Sequence, residues 1–488
     1  MLKGSGLADL RYDALVLTGL ILVAMAIAVM CGFAEPWIDG GFAIYASMVP
    51  TCKIRIGEGA RAGLYLNLAP ERFTMPSTEK PLPPEEQARH RRRTIGFLNW
   101  GHLLDHYVLL IYPTVVLGLE AVYNRSYGDL LMLSTASFTV FGLLALPCGW
   151  IADHWSRRNM LAIFFFGTGI SAAAVGWAPN FTALAIALCA VGVFAAIYHP
   201  VGLPMLIDTA VNRARTMSWN GVFGNVGVSI ASGITALIVT QIGWRAAFFI
   251  PAVVFIVSGI AYVLLVPDEG RRRVPAPTVH DVVLDRRLTI TVVALFMLLA
   301  LFSGLVFNAL TITLPKIVDA RVGRDVSLEL VGSIATAVFL CGAMAQLSMG
   351  RLVERIPPHL VMSGIAVTQL VAMLLVTHLT GWRLIPALAL AVASIYGQVT
   401  VGDIVLARYT PAAWRGRVYA MRFFLIFTTA GPAVWVIGRL WDRGGPDLVL
   451  FVTAIIAGIF AVNSLGITAL VAGAEGRRAR AAAAAPAE

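Results

Sequence analysis

The sequence predicts an all-α integral membrane protein whose twelve transmembrane helices form two related six-helix halves. Composition is the first reason. Hydrophobic residues make up 58% of the 488 positions and charged residues 13%, whereas a soluble domain carries about 25% charged residues. The second reason is the run of apolar segments. Crossing a bilayer takes about 20 apolar residues, and twelve runs of that kind follow residue 97: 97–119, 130–151, 159–178, 181–208, 217–242, 246–266, 288–315, 328–350, 359–379, 384–407, 418–440 and 447–472. A polar stretch at 267–287, "PDEGRRRVPAPTVHDVVLDRR", separates six from six.

An internal repeat is the third reason. A shift of about 201 residues places Pro113 on Pro315, Gly149 and Asp153 on Gly350 and Glu354, and Arg213 and Arg215 on Arg415 and Arg417. It also sets His106 on Asn308. Each coincidence is weak alone, but one offset, to within a residue, holds at three separate places. Duplicated halves are a common plan for secondary transporters, with the substrate site near mid-depth between them.

Charge sets the expected orientation. Lys and Arg cluster at 80–93, at 157–158, in the 267–287 linker and in the tail, and they are sparser in the alternate loops. By the positive-inside rule, both ends of the twelve-helix body face the cytoplasm, in a bacterial inner membrane. The net charge of +10 therefore reports topology, because no basic stripe interleaved with aromatics suggests a nucleic-acid partner. The expected partners are the lipid bilayer, protons and a small-molecule substrate, with the chain acting as a monomer.

The chain divides into an N-terminal extension (1–74), a basic cytoplasmic N-terminus (75–96), a six-helix half (97–266), the linker (267–287), a second half (288–472) and a cytoplasmic tail (473–488). The extension holds an extra apolar run at 14–30 that resembles a signal segment. Inserting it with its basic end inside would push "RHRRR" at 89–93 outward, so the functional chain is expected to start near Met75; the alternative is a genuine extra helix. The five cysteines show neither a CxxC nor a Cys/His zinc spacing.

The turn "GWIADHWSRRN" at 149–159 resembles the signature between the second and third helices of the major facilitator superfamily. Gly149, Asp153, Arg157 and Arg158 match it; His154 stands for a basic residue and Ser156 for a glycine. The second-half copy keeps Gly350, Glu354 and Arg355 before departing at Pro357 and Pro358. Gly149 permits close helix packing. Asp153, at the membrane face, can meet a basic group or a positive helix N-terminus. A contact with the segment around Trp414–Arg417, Arg415 included, would latch the halves on the inside, as the resemblance implies for the outward-open state. The bland alternative leaves Arg157 and Arg158 as topology residues only.

Three further stretches, "GHLLDHYVLLIYP", "AIYHPVG" and "GVFGNVGVSIASG", resemble the fosmidomycin-resistance type of efflux transporter, with its His-x-x-(Asn/Asp) helix ending in Tyr-Pro, here Tyr112–Pro113. The resemblance implies proton-driven efflux of small toxic compounds. Departures at Asp105–His106 and after His199–Pro200 leave the substrate open. An arginine in the fourth helix and a Gly-Pro element in the fifth, common in proton-driven drug exporters, are missing.

Ionisable groups inside a span cost about 2.5–3.5 kcal/mol each on insertion scales, so they are functional candidates. His102, Asp105 and His106 share one helix face at i, i+3 and i+4. Asp105 is expected to carry the proton, with His102 or His106 tuning it or binding an anion; alternatively the three simply pair with one another. His199, beside Pro200, is a further proton or substrate ligand. Asn225, Asn308 and Asp403 are the remaining polar candidates. Two histidines four apart also invite a metal reading, but His199 is the only evident ligand on another helix, and no metal or cofactor is expected.

The leading expectation is thus a proton-coupled exporter of small organic or toxic compounds working by alternating access. A proton symporter importing a small organic anion is the alternative, and a membrane-embedded enzyme is a remote third. Nucleotide-driven transport lacks its GxxxxGK[ST] loop, and the chain is expected not to be an enzyme.

Overall fold

The computed structural model describes residues 83–267, 286–323 and 326–484. The extra segment at 14–30, the expected start at Met75 and most of the linker lie outside the described residues. Two compact units divide the chain, one of them Ala24–Arg89. The other holds His90–Glu488 and with it both helical halves.

The first half comprises α1 (Pro84–Tyr123), α2 (Tyr127–Met132), α3 (Thr135–Leu143), α4 (Ala145–His154), α5 (Arg157–Trp177), α6 (Phe181–Ala195), α7 (Tyr198–Thr209), α8 (Arg213–Gln241) and α9 (Ala246–Leu265). The second comprises α10 (Arg286–Val322), α11 (Leu328–Leu352), α12 (Pro358–His378), α13 (Leu384–Tyr409), α14 (Ala412–Thr428) and α15 (Ala430–Ala484). The helix starts follow local chemistry. Ser126, Ser156, Asn180, Asn212 and Ser327 each accept a hydrogen bond from the backbone N–H three residues on, as N-cap side chains do. Ser156, which departs from the signature's glycine, therefore starts α5.

Ten helices among the described residues are long and apolar enough to cross a membrane, and the pair Tyr127–Leu143 plus Ala145–His154, bent by 42°, makes an eleventh. One of the ten, Met421–Ala474, runs for 54 residues. At about 1.5 Å per residue it would be far longer than a bilayer core. It breaks at Gly444 and Gly445, where Gly445 has φ 60° and ψ −155°, a conformation reserved for glycine. That break interrupts the longest of the ten. The repeat is visible in the elements: α1 and α10 each carry an interior proline, Pro113 and Pro315, and α5 and α12 both have 21 residues.

Two boundaries differ from the sequence reading. The polar N-terminus is helical from Pro84, with Glu85 and Glu86 in the first turn, where carboxylates favour the helix dipole. The tail stays helical to Ala484, as its alanine-rich composition allows. The fourth span is broken between α6 and α7 because Pro200 has no N–H to offer the carbonyl of Ala196.

Two seams join the halves. α8 meets α11 where Gly332 lies against Ser232, Gly233 and Ala236. α2 and α3 meet α15 where Gly431 lies against Thr139 and Gly438 against Met132 and Gly128. Small residues of this kind let membrane helices approach closely. Beyond them, Lys316 donates to Glu120 across the halves, and Gln241 Nε2 donates to Glu329 Oε1 at 3.2 Å. These contacts run from mid-depth to the ends remote from the 149–159 turn. Large apolar side chains such as Ile170, Leu264, Met344 and Val462 are exposed, as expected of a lipid-facing surface.

Candidate functional site

α1, α7 and α8 together bury a polar cluster inside the first half. Asp105 is 0% exposed and His102 7%. His102 Nδ1 lies 2.7 Å from the backbone carbonyl of Asn220. A carbonyl only accepts, so Nδ1 carries hydrogen and, in the neutral ring, Nε2 is the bare acceptor. His106 Nε2 sits 3.1 Å from that atom and is therefore its donor, which leaves His106 Nδ1 bare. The tautomers are thus fixed by one backbone carbonyl. The break at Pro200 turns His199 inward, with Nε2 3.4 Å from Asp105 Oδ2. That is ion-pair distance without hydrogen-bond geometry: both Asp105 oxygens and both His199 ring nitrogens are buried without a hydrogen-bond partner.

The walls of the cluster explain several small and polar residues. The His102 ring stacks on Tyr198 at 5.1 Å, and Tyr198 Oη donates to the Leu98 carbonyl at 2.6 Å. Asn220 Nδ2 donates to Tyr198 Oη and to Asn99 Oδ1, both at 3.1 Å. A Cβ on Gly224 would come within 2.6 Å of the His102 ring, and one on Gly227 would strike the Leu103 backbone. The glycines of α8 therefore make room for α1. From the second half, Phe427 covers the cluster, its ring 4.8 Å from His199 and 5.3 Å from Phe141.

The other sequence candidates lie apart from this cluster. Tyr112 donates to the Leu130 carbonyl at 2.7 Å, supplying a partner at the break after α2. Asn225 donates to Gln346 across the halves. Asn308 Nδ2 reaches Thr429 Oγ1 at 3.4 Å within the second half. Asp403 pairs with Arg422 and its carbonyl accepts from Tyr419 Oη at 2.6 Å. Sequence reasoning missed Asn220, Tyr198, Phe427 and Arg422. A single arginine inside "YAMRFFLIF" was a usable signal for Arg422; nothing in the sequence marked Phe427 among so many phenylalanines.

The 149–159 turn is built as well as charged. Arg157 bridges Asp153 at 2.8 Å and Asp208 at 2.7 Å, so Asp153 is paired inside its own half. The Arg415 side chain lies outside the described residues. A Cβ on Gly149 would sit 3.2 Å from Pro200 Cβ. Its copy Gly350 has open space beside it, and Glu354 and Arg355 are exposed. Arg158 donates from Nε to the Val266 carbonyl at 2.8 Å and from Nη2 to the Val263 carbonyl at 2.6 Å, capping the C-terminal end of α9. Arg158→Lys keeps the positive charge but loses the guanidinium fork that reaches the two carbonyls from separate nitrogens. It is expected to cost at least about 1 kcal/mol, read as a lower melting temperature of the purified protein. An unchanged melting temperature would reduce Arg158 to a topology charge.

Two helical halves, a glycine-lined seam on each side and a buried polar cluster beside the seam define a multi-pass membrane protein with a two-fold architecture. The Major Facilitator Superfamily model matches residues 95–323, and over that stretch the chain is similar to that superfamily. It is similar to the "Tetracenomycin C resistance and export protein" of Streptomyces glaucescens, 26% identical over 31% of this chain and 29% of that one. It is also similar to the "Probable L-galactonate transporter" of Escherichia coli K12, 26% identical over 39% of this chain and 44% of that one. The alignments thus span less than half the length of either relative. The crystal structure of a bacterial homolog of the human lysosomal transporter Spinster, inward-facing and unoccupied, superposes with a TM-score of 0.61 at 15% identity, covering 78% of this chain and 97% of that one. This likeness concerns the fold.

Proposed function

We propose that the protein is a secondary active transporter that exports small organic compounds in exchange for protons by alternating access. The observation that carries this reading is the placement of the seams. The halves touch from mid-depth to one set of ends, while the ion pairs of the 149–159 turn stay inside one half. On this reading the structure is the state closed outside and open to the cytoplasm. Asp153 would exchange Arg157 for the start of α14 when the inner side shuts. Asp105 and His199 are the groups through which proton entry couples to that change, since they are buried in one half and covered by the other. The similarity to a resistance and export protein favours export, and similarity to a sugar-acid transporter keeps the import of an organic anion as the second reading.

The test uses liposomes with a pH dye trapped inside, a proton gradient, and a panel of drugs and organic anions. Export requires one class of compound to drive proton movement opposite to its own. Co-directional movement would favour the symporter, and no proton movement with any compound would overturn the coupling.

A further inference from the structure

We infer that His102, His106 and His199, completed by Asp105, form a binding site for a divalent transition-metal ion of the zinc and nickel class. The proposal goes beyond transport and does not depend on it.

The geometry comes first. One ring nitrogen from each histidine lies within 4.8 Å of the other two. In a tetrahedral site with metal–nitrogen distances of about 2.0–2.1 Å, ligand atoms stand about 3.3 Å apart. His102 Nε2 and His106 Nε2 are 3.1 Å apart, and His199 Nε2 and Asp105 Oδ2 are 3.4 Å apart. Two edges of a coordination tetrahedron are therefore already at the right length. The ring centroid of His199 lies 5.2 Å from that of His102 and 5.3 Å from that of His106, so the three imidazoles gather round one small space.

Orientation and satisfaction point the same way. The Asn220 carbonyl holds His102 by Nδ1, which aims the Nε2 lone pair at the centre; an outer hydrogen bond of this kind is the usual companion of a metal-bound imidazole. The hydrogen on His106 Nε2 must move to Nδ1, which is bare, so no base has to be supplied. Both oxygens of Asp105 and both nitrogens of His199 are buried without hydrogen-bond partners, and buried polar groups left unmatched call for an ion or water. An ion supplies a partner for His199 Nε2 and for the Asp105 carboxylate, which lie 3.4 Å apart. Three imidazoles and one carboxylate suit zinc, nickel, cobalt or copper(II), and suit magnesium and calcium poorly.

Binding is measured on full-length protein in detergent, freed of any affinity tag and stripped with a chelator, by titrating cobalt(II) and following its visible ligand-field absorption. One saturable equivalent is expected, displaced by zinc and indifferent to magnesium. His199→Ala and His106→Gln should each weaken binding by at least about tenfold, as should Asp105→Asn. His154→Ala, at an exposed imidazole, should leave it unchanged. Zinc should raise the melting temperature of the wild type and not of His199→Ala, which also reports that the variant is folded. No saturable absorption, or binding that survives His199→Ala or vanishes in His154→Ala, would overturn the site.

Discussion

Asp105→Asn is expected to abolish coupled transport, lowering substrate-driven proton flux by at least about a hundredfold, the scale at which a positioned proton-transfer group acts. The substitution is nearly isosteric and the site is enclosed: Asp105 has no hydrogen-bond partner to lose, and its ion-pair neighbour His199 lies 3.4 Å away. The protein should therefore insert, fold and melt much as the wild type does. Loss of flux with normal folding would place the coupling group in α1. A flux equal to wild type would move it elsewhere, His199 being next. The comparison separates a chemical role from a structural one, since a merely structural carboxylate would affect stability before flux.

Gly332→Ala is expected to have the second large effect, on conformation rather than chemistry. The added methyl would meet Ala236 Cβ at 2.6 Å and the Ser232 carbonyl oxygen at 2.7 Å. Backbone cannot step aside as a side chain can, so the seam must part. Overpacking of this kind costs about 1–3 kcal/mol, which shifts a two-state population by about 5- to 150-fold. Spin labels at Gln241 and Glu329, on a cysteine-free background, should show a longer distance distribution in the variant, because those ends are joined in the closed seam. An unchanged distribution would mean that this contact does not hold the halves together. Substrate-free protein is the right sample, since a bound compound would bias the same equilibrium.

Much of the fold was legible because bilayer physics writes it into composition. The length of an apolar run, the sign of each loop and the prolines of the repeat are local properties, and they were enough to predict a helical membrane protein. The site was legible in part for the same reason. His102, Asp105 and His106 share a face by helix periodicity, and a charged residue in a span stands out. What stayed hidden depends on distance in three dimensions. Nothing in "AIYHPVG" says that His199 meets the α1 cluster, or that Asn220 offers it a carbonyl. Nor could spacing show that Arg157 holds Asp153 and Asp208 together, or that Arg158 serves α9 rather than topology alone. Chain breaks were the hardest element boundaries. The span read as 181–208 is two helices, Phe181–Ala195 and Tyr198–Thr209.

The cover over the cluster has a consequence for efficiency. His199 and Asp105 belong to one half, whereas Phe427, tilted against the His199 ring, belongs to the other. On the proposed reading, an exchanger that let protons slip through while empty would dissipate the gradient it lives on. A lid carried by the opposing half ties permission to the movement of the whole molecule instead of to the flicker of one side chain. Replacing Phe427 with a small residue would then produce a leak: futile proton entry without cargo, at the expense of the membrane's energy store.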